Sequence, residues 1–147
     1  MKPSRHLIVS LSASGLFLFF TRSFYGAMVL FLSGVGSDLD HVIEYGIHYG
    51  WKDISVKKIY EASEKTGSKN KAGFKRLYLI FHVGEMALIL WVLSLVSKNI
   101  YLLAISIGYT LHLLMDCIGN TLNPVAYFII FRAFRNFDTS RLLRNGR

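Results

Sequence analysis

Cysteine is nearly absent from this sequence, which contains Cys117 alone. A single cysteine cannot form a disulfide within the chain, so nothing in the fold depends on an oxidising compartment. Signatures of nucleic-acid and nucleotide binding are also missing: there is no zinc-finger spacing and no aromatic RNA-binding motif. The glycine-rich segment 33–38, "SGVGSD", lacks the Gly-Lys-Ser/Thr ending of a phosphate loop. These absences argue against a nucleic-acid partner.

Apolar residues are abundant instead. They make up 52% of the 147 residues, and aromatic residues 14%, which is high for a soluble domain. A helix needs about 20 residues to cross the hydrocarbon layer of a membrane. Four stretches approach or reach that length, and they predict an all-α integral membrane bundle of four transmembrane helices: residues 6–21, 24–46, 77–97 and 100–119.

Basic residues support this layout by their positions. The chain has 17 lysines and arginines against 9 acidic residues, for a formal net charge of +8. If both termini are cytoplasmic, every basic residue except Arg22 and Lys98 lies on the inner side, as the positive-inside rule requires. We therefore expect an integral membrane protein with both termini cytoplasmic. The first stretch follows Lys2 and Arg5 and resembles a signal peptide, but no small-x-small cleavage site precedes Phe24, so we expect a retained helix.

Two segments outside the spans are predicted to contain short helices. The basic cytoplasmic loop 50–76 contains Glu61 and Lys65 four residues apart, which predicts a short surface helix followed by a flexible turn. After the fourth span, Asn123 is a candidate N-cap and Pro124 a first helical residue. The apolar run that follows suits a short interfacial helix over 124–135 rather than a fifth crossing. We expect residues 1–147 to form a single membrane domain.

Acidic residues and histidines occur within the predicted spans. Because spans one and three begin at the inner face and spans two and four end there, all of these groups are expected at the same depth of the membrane. They are His6 in the first span, Asp38, Asp40, His41 and Glu44 in the second, His82 and Glu85 in the third, and His112 and Asp116 in the fourth.

A bound cation would explain this convergence. One acidic residue at mid-membrane costs about 2.5–3.5 kcal/mol, and carboxylates with imidazoles are natural metal ligands. The spacings favour shared helix faces, with His82 and Glu85 at i,i+3 and His112 and Asp116 at i,i+4.

The segment "SDLDH", residues 37–41, permits two arrangements. Asp38 and Asp40 would point about 200° apart on a regular helix. A break near Gly34 and Gly36 would let both reach the centre. If the helix is regular, Asp38 shares a face with His41, or Asp40 with Glu44.

Simpler interpretations exist for individual groups. His6 near a helix end is typical of a residue that reaches the interface, and Glu44 and His48 are interpreted as solvated interfacial groups. The pairs His82 with Glu85 and His112 with Asp116 also fit interhelical hydrogen bonds or a proton path. The occurrence of both pairs together with "DLDH" favours a metal site.

These motifs resemble those of the small membrane-bound metal-dependent hydrolases, a family of inner-membrane-associated proteins. His6 in "SRHLIVS" matches the family's amino-terminal histidine, "SDLDH" its PDxDH segment, and "HLLMD", residues 112–116, its terminal HxLxD-like segment. "FHVGE", residues 81–85, matches the central histidine motif in part. Ser37 stands where the family has proline, and the longer HRGxTHS element is absent.

The resemblance implies one or two divalent ions, zinc, manganese, iron or magnesium, and a hydrolytic reaction. The metal ligands it implies are Asp38, Asp40, His82, His112 and Asp116, with His6 as a further ligand. Glu85, or His41 if it does not bind metal, is the candidate general base. The alternative for both residues is that they are further ligands or hydrogen-bond partners of the ligands. Lipid, as a lipid ester or lipid phosphate, is the expected substrate and partner. The candidate phosphate-binding residues are Lys75, Arg76, Arg132 and Arg135, for which ordinary inner-side anchoring is the alternative.

A non-enzyme is the second hypothesis. The same cluster would then form a structural metal site or a proton or ion path. Four spans offer little scaffold for alternating access, and no inverted repeat is visible, although a homo-oligomer would supply more scaffold. A soluble helical protein is a third possibility, and it would have to explain the partition of charge between alternate loops.

Overall fold

The computed structural model describes residues 3–66 and 73–144, and these form helices joined by turns and irregular segments. No strand forms in the two described ranges, where pairing is limited to the isolated bridges Arg76 to Asp138 and Leu122 to Leu143. The all-α class is thus confirmed. The elements are α1 (Pro3–Thr21), α2 (Phe24–Gly36), α3 (Leu39–Tyr49), α4 (Val56–Thr66), α5 (Gly84–Ser97), α6 (Ile100–Gly119), a 3-10 helix (Pro124–Tyr127), α7 (Ile129–Phe134) and α8 (Thr139–Leu142).

Three helical stretches are long and apolar enough to cross a membrane: Ser4–Thr21, Phe24–Tyr49 and Ile100–Gly119. The second contains α2, α3 and the turn at Ser37 and Asp38 between them. An interruption after Gly36 is one of the two arrangements that the sequence permitted. Asp38 also lies near His41, with 3.7 Å between Asp38 Oδ1 and His41 Nε2, as the other arrangement expects.

The third predicted span, 77–97, is wrong at its beginning. The helix there, α5, starts at Gly84 and has 14 residues, a length of about 21 Å, against a hydrocarbon layer of about 30 Å. Residues 77–83 are not helical. The four-span count therefore stays a prediction.

Contacts between residues divide the chain into two compact units. Unit 1 contains the residues up to Ser37 together with Gly84–Gly119, and unit 2 contains Asp38–Val83 together with the residues from Asn120 onward. The prediction of a single domain over 1–147 is not tested by this division and stays a prediction.

Unit 1 is a set of closely packed apolar helices. Its core includes Leu30 of α2 and Ala104 of α6, both fully buried. A Cβ atom on Gly108 would overlap Ser33 Oγ and the carbonyl oxygen of Leu30, so glycine at this position permits the close approach of α2 and α6. On the outside, large apolar side chains such as Phe20 and Val96 are exposed, as expected for helices that contact lipid.

Unit 2 consists of short helices and irregular segments joined by backbone and side-chain hydrogen bonds. The Leu77 N–H donates to the Phe137 carbonyl at 2.9 Å, and the Thr139 hydroxyl donates to the Phe74 carbonyl at 2.7 Å. The surface helix expected in the basic loop is present as α4. Residues 67–72, which include Lys69 and Lys71, lie outside the described residues, as do Lys2 and Arg147.

The interfacial helix predicted over 124–135 forms in two pieces. Asn123 is an N-cap as predicted, because its side chain accepts a hydrogen bond from the Val125 N–H. The helix it begins is a single 3-10 turn that ends before the extended residue Phe128, and α7 then starts at Ile129. The location of this region at a membrane interface stays a prediction.

Candidate metal-binding sites

In unit 2, Asp38, His41 and His82 form a group that can hold a metal ion. Each offers one ligand atom, and the three atoms lie within 4.8 Å of one another. Asp38 is the N-cap residue of α3, and His41 is one turn further, with its Nε2 3.7 Å from Asp38 Oδ1. The His41 and His82 ring centroids are 5.1 Å apart. We call this group the unit 2 triad.

His82 is oriented by Asp40. The Asp40 Oδ2 atom accepts hydrogen bonds from His82 Nδ1 at 2.8 Å and from the Phe81 N–H at 3.0 Å. A carboxylate only accepts, so Nδ1 carries the proton and the neutral ring keeps its lone pair on Nε2. Metal-binding histidines are held in this way by a carboxylate on the other nitrogen. Asp40 was expected to bind metal directly, and its observed contact is that of an orienting group.

Glu44 is buried, so its interpretation as a solvated interfacial residue is wrong. It is 2% exposed, and its two carboxylate oxygens accept the Tyr78 N–H at 3.0 Å and the Leu79 N–H at 3.2 Å. These two amides belong to the non-helical segment before α5. The carboxylate of Glu44 therefore takes the place of the carbonyl acceptors that these two N–H groups would have in a helix.

Arg132 is buried as well, at 1% exposure. Its guanidinium donates to the carbonyl of Tyr78, to that of Leu79 at 3.0 Å and to that of His82 at 3.2 Å. The expected role of this arginine was to bind a substrate phosphate. Its observed partners are backbone carbonyls within unit 2, because the segment 78–82 has no helix of its own to satisfy them.

Unit 1 contains a second group of two histidines and a carboxylate, which we call the unit 1 triad: His6, His112 and Asp116. All three are at least 97% buried, with exposures of 3%, 2% and 1%. Asp116 Oδ1 lies 3.1 Å from His6 Nε2, and Asp116 Oδ2 lies 3.6 Å from His112 Nε2. The two rings stack with centroids 4.2 Å apart. The i,i+4 pair of His112 and Asp116 thus shares a helix face, as predicted.

The hydrogen bonding of the unit 1 triad favours a bound cation or proton. His112 Nδ1 donates to the Gly34 carbonyl at 2.7 Å, so in the neutral ring Nε2 is an acceptor facing a carboxylate oxygen. Among the residues that the structure describes, neither ring nitrogen of His6 forms a hydrogen bond. Acceptors that face one another in a buried site are stable when a cation or a proton lies between them.

The other predicted site residues are placed as follows. Glu85 is in the first turn of α5 and partly buried. It does not share a helix face with His82, because His82 precedes the helix. Lys75, Arg76 and Arg135 are exposed, and the Arg135 guanidinium lies over the Phe131 ring, 5.4 Å from its centroid. The roles predicted for these four residues stay predictions.

The sequence did not reveal that Glu44 and Arg132 support the backbone of residues 78–82. The hydrogen bonds of Glu44 and Arg132 produce no recognisable spacing in the sequence, because their partners are backbone atoms of a distant segment. The one signal in the sequence is that Arg132 interrupts the apolar run "FIIFRAF". A charged residue in such a run is expected to have an internal partner.

Comparison of the chain with protein-family models, curated proteins and solved structures found no match. The resemblance to the small membrane-bound hydrolases therefore rests on the short motifs in the sequence. Any function must be argued from the chemistry of the two triads.

Proposed function

We propose that this chain is a membrane-embedded, metal-dependent hydrolase in which the unit 2 triad holds the catalytic metal ion. The observation that carries the proposal is the position of three nitrogen and oxygen donors of Asp38, His41 and His82 within 4.8 Å. The orientation of His82 by Asp40, at 2.8 Å, adds the outer hydrogen bond that is typical of metal-binding histidines.

The donor set fits a divalent metal. Two imidazoles and one carboxylate are the protein ligands of several catalytic zinc sites and of non-haem iron sites, and both leave coordination positions for water and substrate. A divalent ion bound there would acidify a water molecule and polarise a phosphoryl or acyl oxygen.

The unit 2 triad has a buried side and an accessible side. The side chains of His82 and Asp40 are each 1% exposed, whereas those of His41 and Asp38 are 22% and 31% exposed. Asp40 holds a proton on Nδ1 of the buried ligand His82, and a substrate would approach past Asp38 and His41.

A lipid ester or lipid phosphate is the proposed substrate. Three helical stretches are long and apolar enough to cross a membrane, and unit 2 exposes Lys75, Arg76 and Arg135, which can bind a phosphate head group. The resemblance implies an inner-membrane location, and the distribution of basic residues favours cytoplasmic termini. On this proposal the substrate would come from the cytoplasmic leaflet.

Metal content tests the site directly. Protein purified in detergent without chelator would be compared by elemental analysis as wild type, His41→Ala, His82→Ala and the control His48→Ala. His48 lies on the same helix as His41, outside the triad, with its Nδ1 2.9 Å from the Glu44 carbonyl oxygen. We expect the control to retain metal and the two triad variants to lose one ion per chain. Equal trace metal in all four proteins would refute the site.

Turnover tests the reaction. Metal-loaded wild type would be incubated in mixed micelles with phosphatidic acid, neutral phospholipids and polyprenyl phosphates, and a water-soluble phosphate ester would serve as the comparison. We expect release of product from a lipid substrate, and loss of that release in His82→Ala. A metal-loaded protein without turnover on this panel would favour a non-enzymatic role.

A structural metal site or proton path in unit 1 is the second candidate function. The observation that favours it is the acceptor geometry of the fully buried unit 1 triad, with both Asp116 oxygens within 3.6 Å of a histidine Nε2. His112→Ala separates the possibilities. Loss of an ion distinct from the one lost in His82→Ala indicates a metal site, and reduced proton flux in vesicles without loss of metal indicates a path.

A further inference from the structure

The segment that carries His82 has no regular secondary structure to support it. Residues 77–79 have no regular secondary structure, a turn follows at residues 80 and 81, and α5 begins at Gly84. Leu79 has a φ of 40°, a conformation that costs a residue with a large side chain about 1–3 kcal/mol. A buried segment of this kind keeps its conformation only if other groups satisfy its backbone.

Carboxylates of α3 satisfy the N–H groups. Glu44 accepts from Tyr78 and Leu79, and Asp40 accepts from Phe81 and from the His82 side chain. Both acidic side chains are nearly inaccessible to solvent, at 2% and 1% exposure. One face of α3 therefore accepts the hydrogen bonds that this segment donates.

The guanidinium of Arg132, a residue of α7, satisfies the carbonyl groups of the same segment. It donates to Tyr78, Leu79 and His82. The last of these carbonyls belongs to the candidate metal ligand itself, at 3.2 Å from Arg132 Nη2. Arg132 thus holds the backbone of His82 while Asp40 holds its ring.

We propose that Arg132 is a positioning residue for the metal site, which fixes the backbone from which His82 reaches the metal. The inference rests on the proposed function, since it assigns to Arg132 a contribution to metal affinity. It replaces the phosphate-binding role expected from the sequence.

Arginine suits this task better than lysine does. The guanidinium is planar with five N–H donors, so it can serve several carbonyls in a fixed geometry. An ammonium group has three donors on a flexible stem and cannot span the same carbonyls. Lysine at this position would keep the charge and part of the hydrogen bonding but lose the geometry.

The test is Co²⁺ binding by purified full-length protein in detergent, with Arg132→Lys and Arg132→Met compared to Arg141→Met. Arg141 is an exposed arginine of unit 2, with its side chain 57% exposed, so its replacement controls for loss of charge. We expect Co²⁺ affinity to fall about 10- to 100-fold in Arg132→Met, less in Arg132→Lys, and to be unchanged in Arg141→Met.

Two further measurements distinguish positioning from general stability. The visible absorption of bound Co²⁺ reports ligand geometry and should change in Arg132→Lys even if the thermal midpoint does not. Hydrogen exchange of the Tyr78, Leu79 and His82 amides should accelerate in the same variant. If Arg132→Met fails to fold, Arg132→Lys alone decides the question.

The outcomes separate the two proposals. Wild-type Co²⁺ affinity and spectrum in Arg132→Lys would overturn the positioning role and leave the proposed function standing. Absence of Co²⁺ binding by wild type would overturn the proposed function, and this inference with it. Accelerated exchange with unchanged Co²⁺ binding would also overturn the inference, because the segment would then be held for stability alone.

Discussion

The two units use buried charged and polar groups for different purposes. In unit 1 the triad residues His6, His112 and Asp116 project from helices whose backbones already satisfy themselves. In unit 2 the charged groups Glu44 and Arg132 serve mainly to satisfy the backbone of an irregular segment. Helical backbone leaves its polar side chains available to a ligand, whereas irregular backbone requires them as hydrogen-bond partners.

This difference predicts where each unit is vulnerable. Unit 1 should be sensitive to the size of the residues between its helices, because its stability comes from packing. Unit 2 should be sensitive to the loss of individual charged groups, because each serves several backbone atoms. Four experiments, from the largest expected effect to the smallest, test this contrast.

Replacement of Glu44 by leucine should give the largest effect. The Tyr78 and Leu79 N–H groups would lose their acceptor, and each buried unsatisfied donor costs about 1–3 kcal/mol, so we expect a loss of about 4 kcal/mol in the free energy of unfolding. Denaturant titration in detergent micelles would measure it. Glu61→Leu, on the surface helix α4, is the control and should change stability by less than about 0.5 kcal/mol. Similar values for both variants would contradict the backbone role of Glu44.

Replacement of Gly108 by alanine tests the packing of unit 1. The added methyl group would overlap the backbone of α2 at Leu30, and overpacking of this kind costs about 1–3 kcal/mol. Gly15→Ala is a matched control, because a Cβ at Gly15 meets nothing within 4 Å, and alanine within a helix should stabilise it by about 0.5–1 kcal/mol. The midpoint of thermal unfolding should fall in Gly108→Ala and rise in Gly15→Ala. A change in the same direction for both variants would contradict the role of Gly108 in packing.

The hydrogen bond from Trp91 Nε1 to Thr110 Oγ1, at 2.9 Å, should contribute less. It joins α5 to α6 within unit 1, and such bonds between membrane helices average about 0.6 kcal/mol. A double-mutant cycle with Trp91→Phe and Thr110→Val isolates it. A coupling energy above about 2 kcal/mol would show that unit 1 also depends on individual polar contacts.

The smallest effect concerns the N-cap of α8 in unit 2. Hydrogen bonds from the Ser140 hydroxyl and N–H to Asp138 hold the pKa of that carboxyl below its ordinary value of 3.8. A lowered pKa in the folded protein means that the cap stabilises α8 fully above the pKa of the unfolded chain, and that this contribution disappears as the pH falls through the folded value. Carboxyl-carbon NMR should show the titration below pH 3.8. Ser140→Ala should move it upward, and no movement would exclude the hydroxyl as its cause.

Several local features were predictable from the sequence. Asn123 caps the 3-10 helix through its own side chain, and His112 and Asp116 share a face of α6. The interruption between α2 and α3 after Gly36 was one of two arrangements that the sequence permitted. Each depends on residues within one or two turns of one another. Local sequence determines such features because the interacting groups are fixed by backbone geometry alone.

The beginning of α5 was not predictable in the same way. Residues 77–83 are apolar enough to continue a helix, so hydropathy predicts a helix that begins at residue 77. In the structure this segment is held out of the helix by Glu44, 34 residues from Tyr78 along the chain, and by Arg132, 54 residues from Tyr78. Hydropathy describes the segment itself and contains no information on partners so distant.

The sequence by itself determined the helical class, the long apolar stretches and the presence of histidines and carboxylates at their ends, because these depend on composition and on short-range spacing. The tertiary structure decided which of those groups meet: His6 with Asp116, His82 with Asp40, and Glu44 and Arg132 with the segment between them in sequence. The reason is physical. A buried charge takes whichever partner the packing of distant segments supplies, and it is that partner which makes it a metal ligand, an orienting group or a support for the backbone.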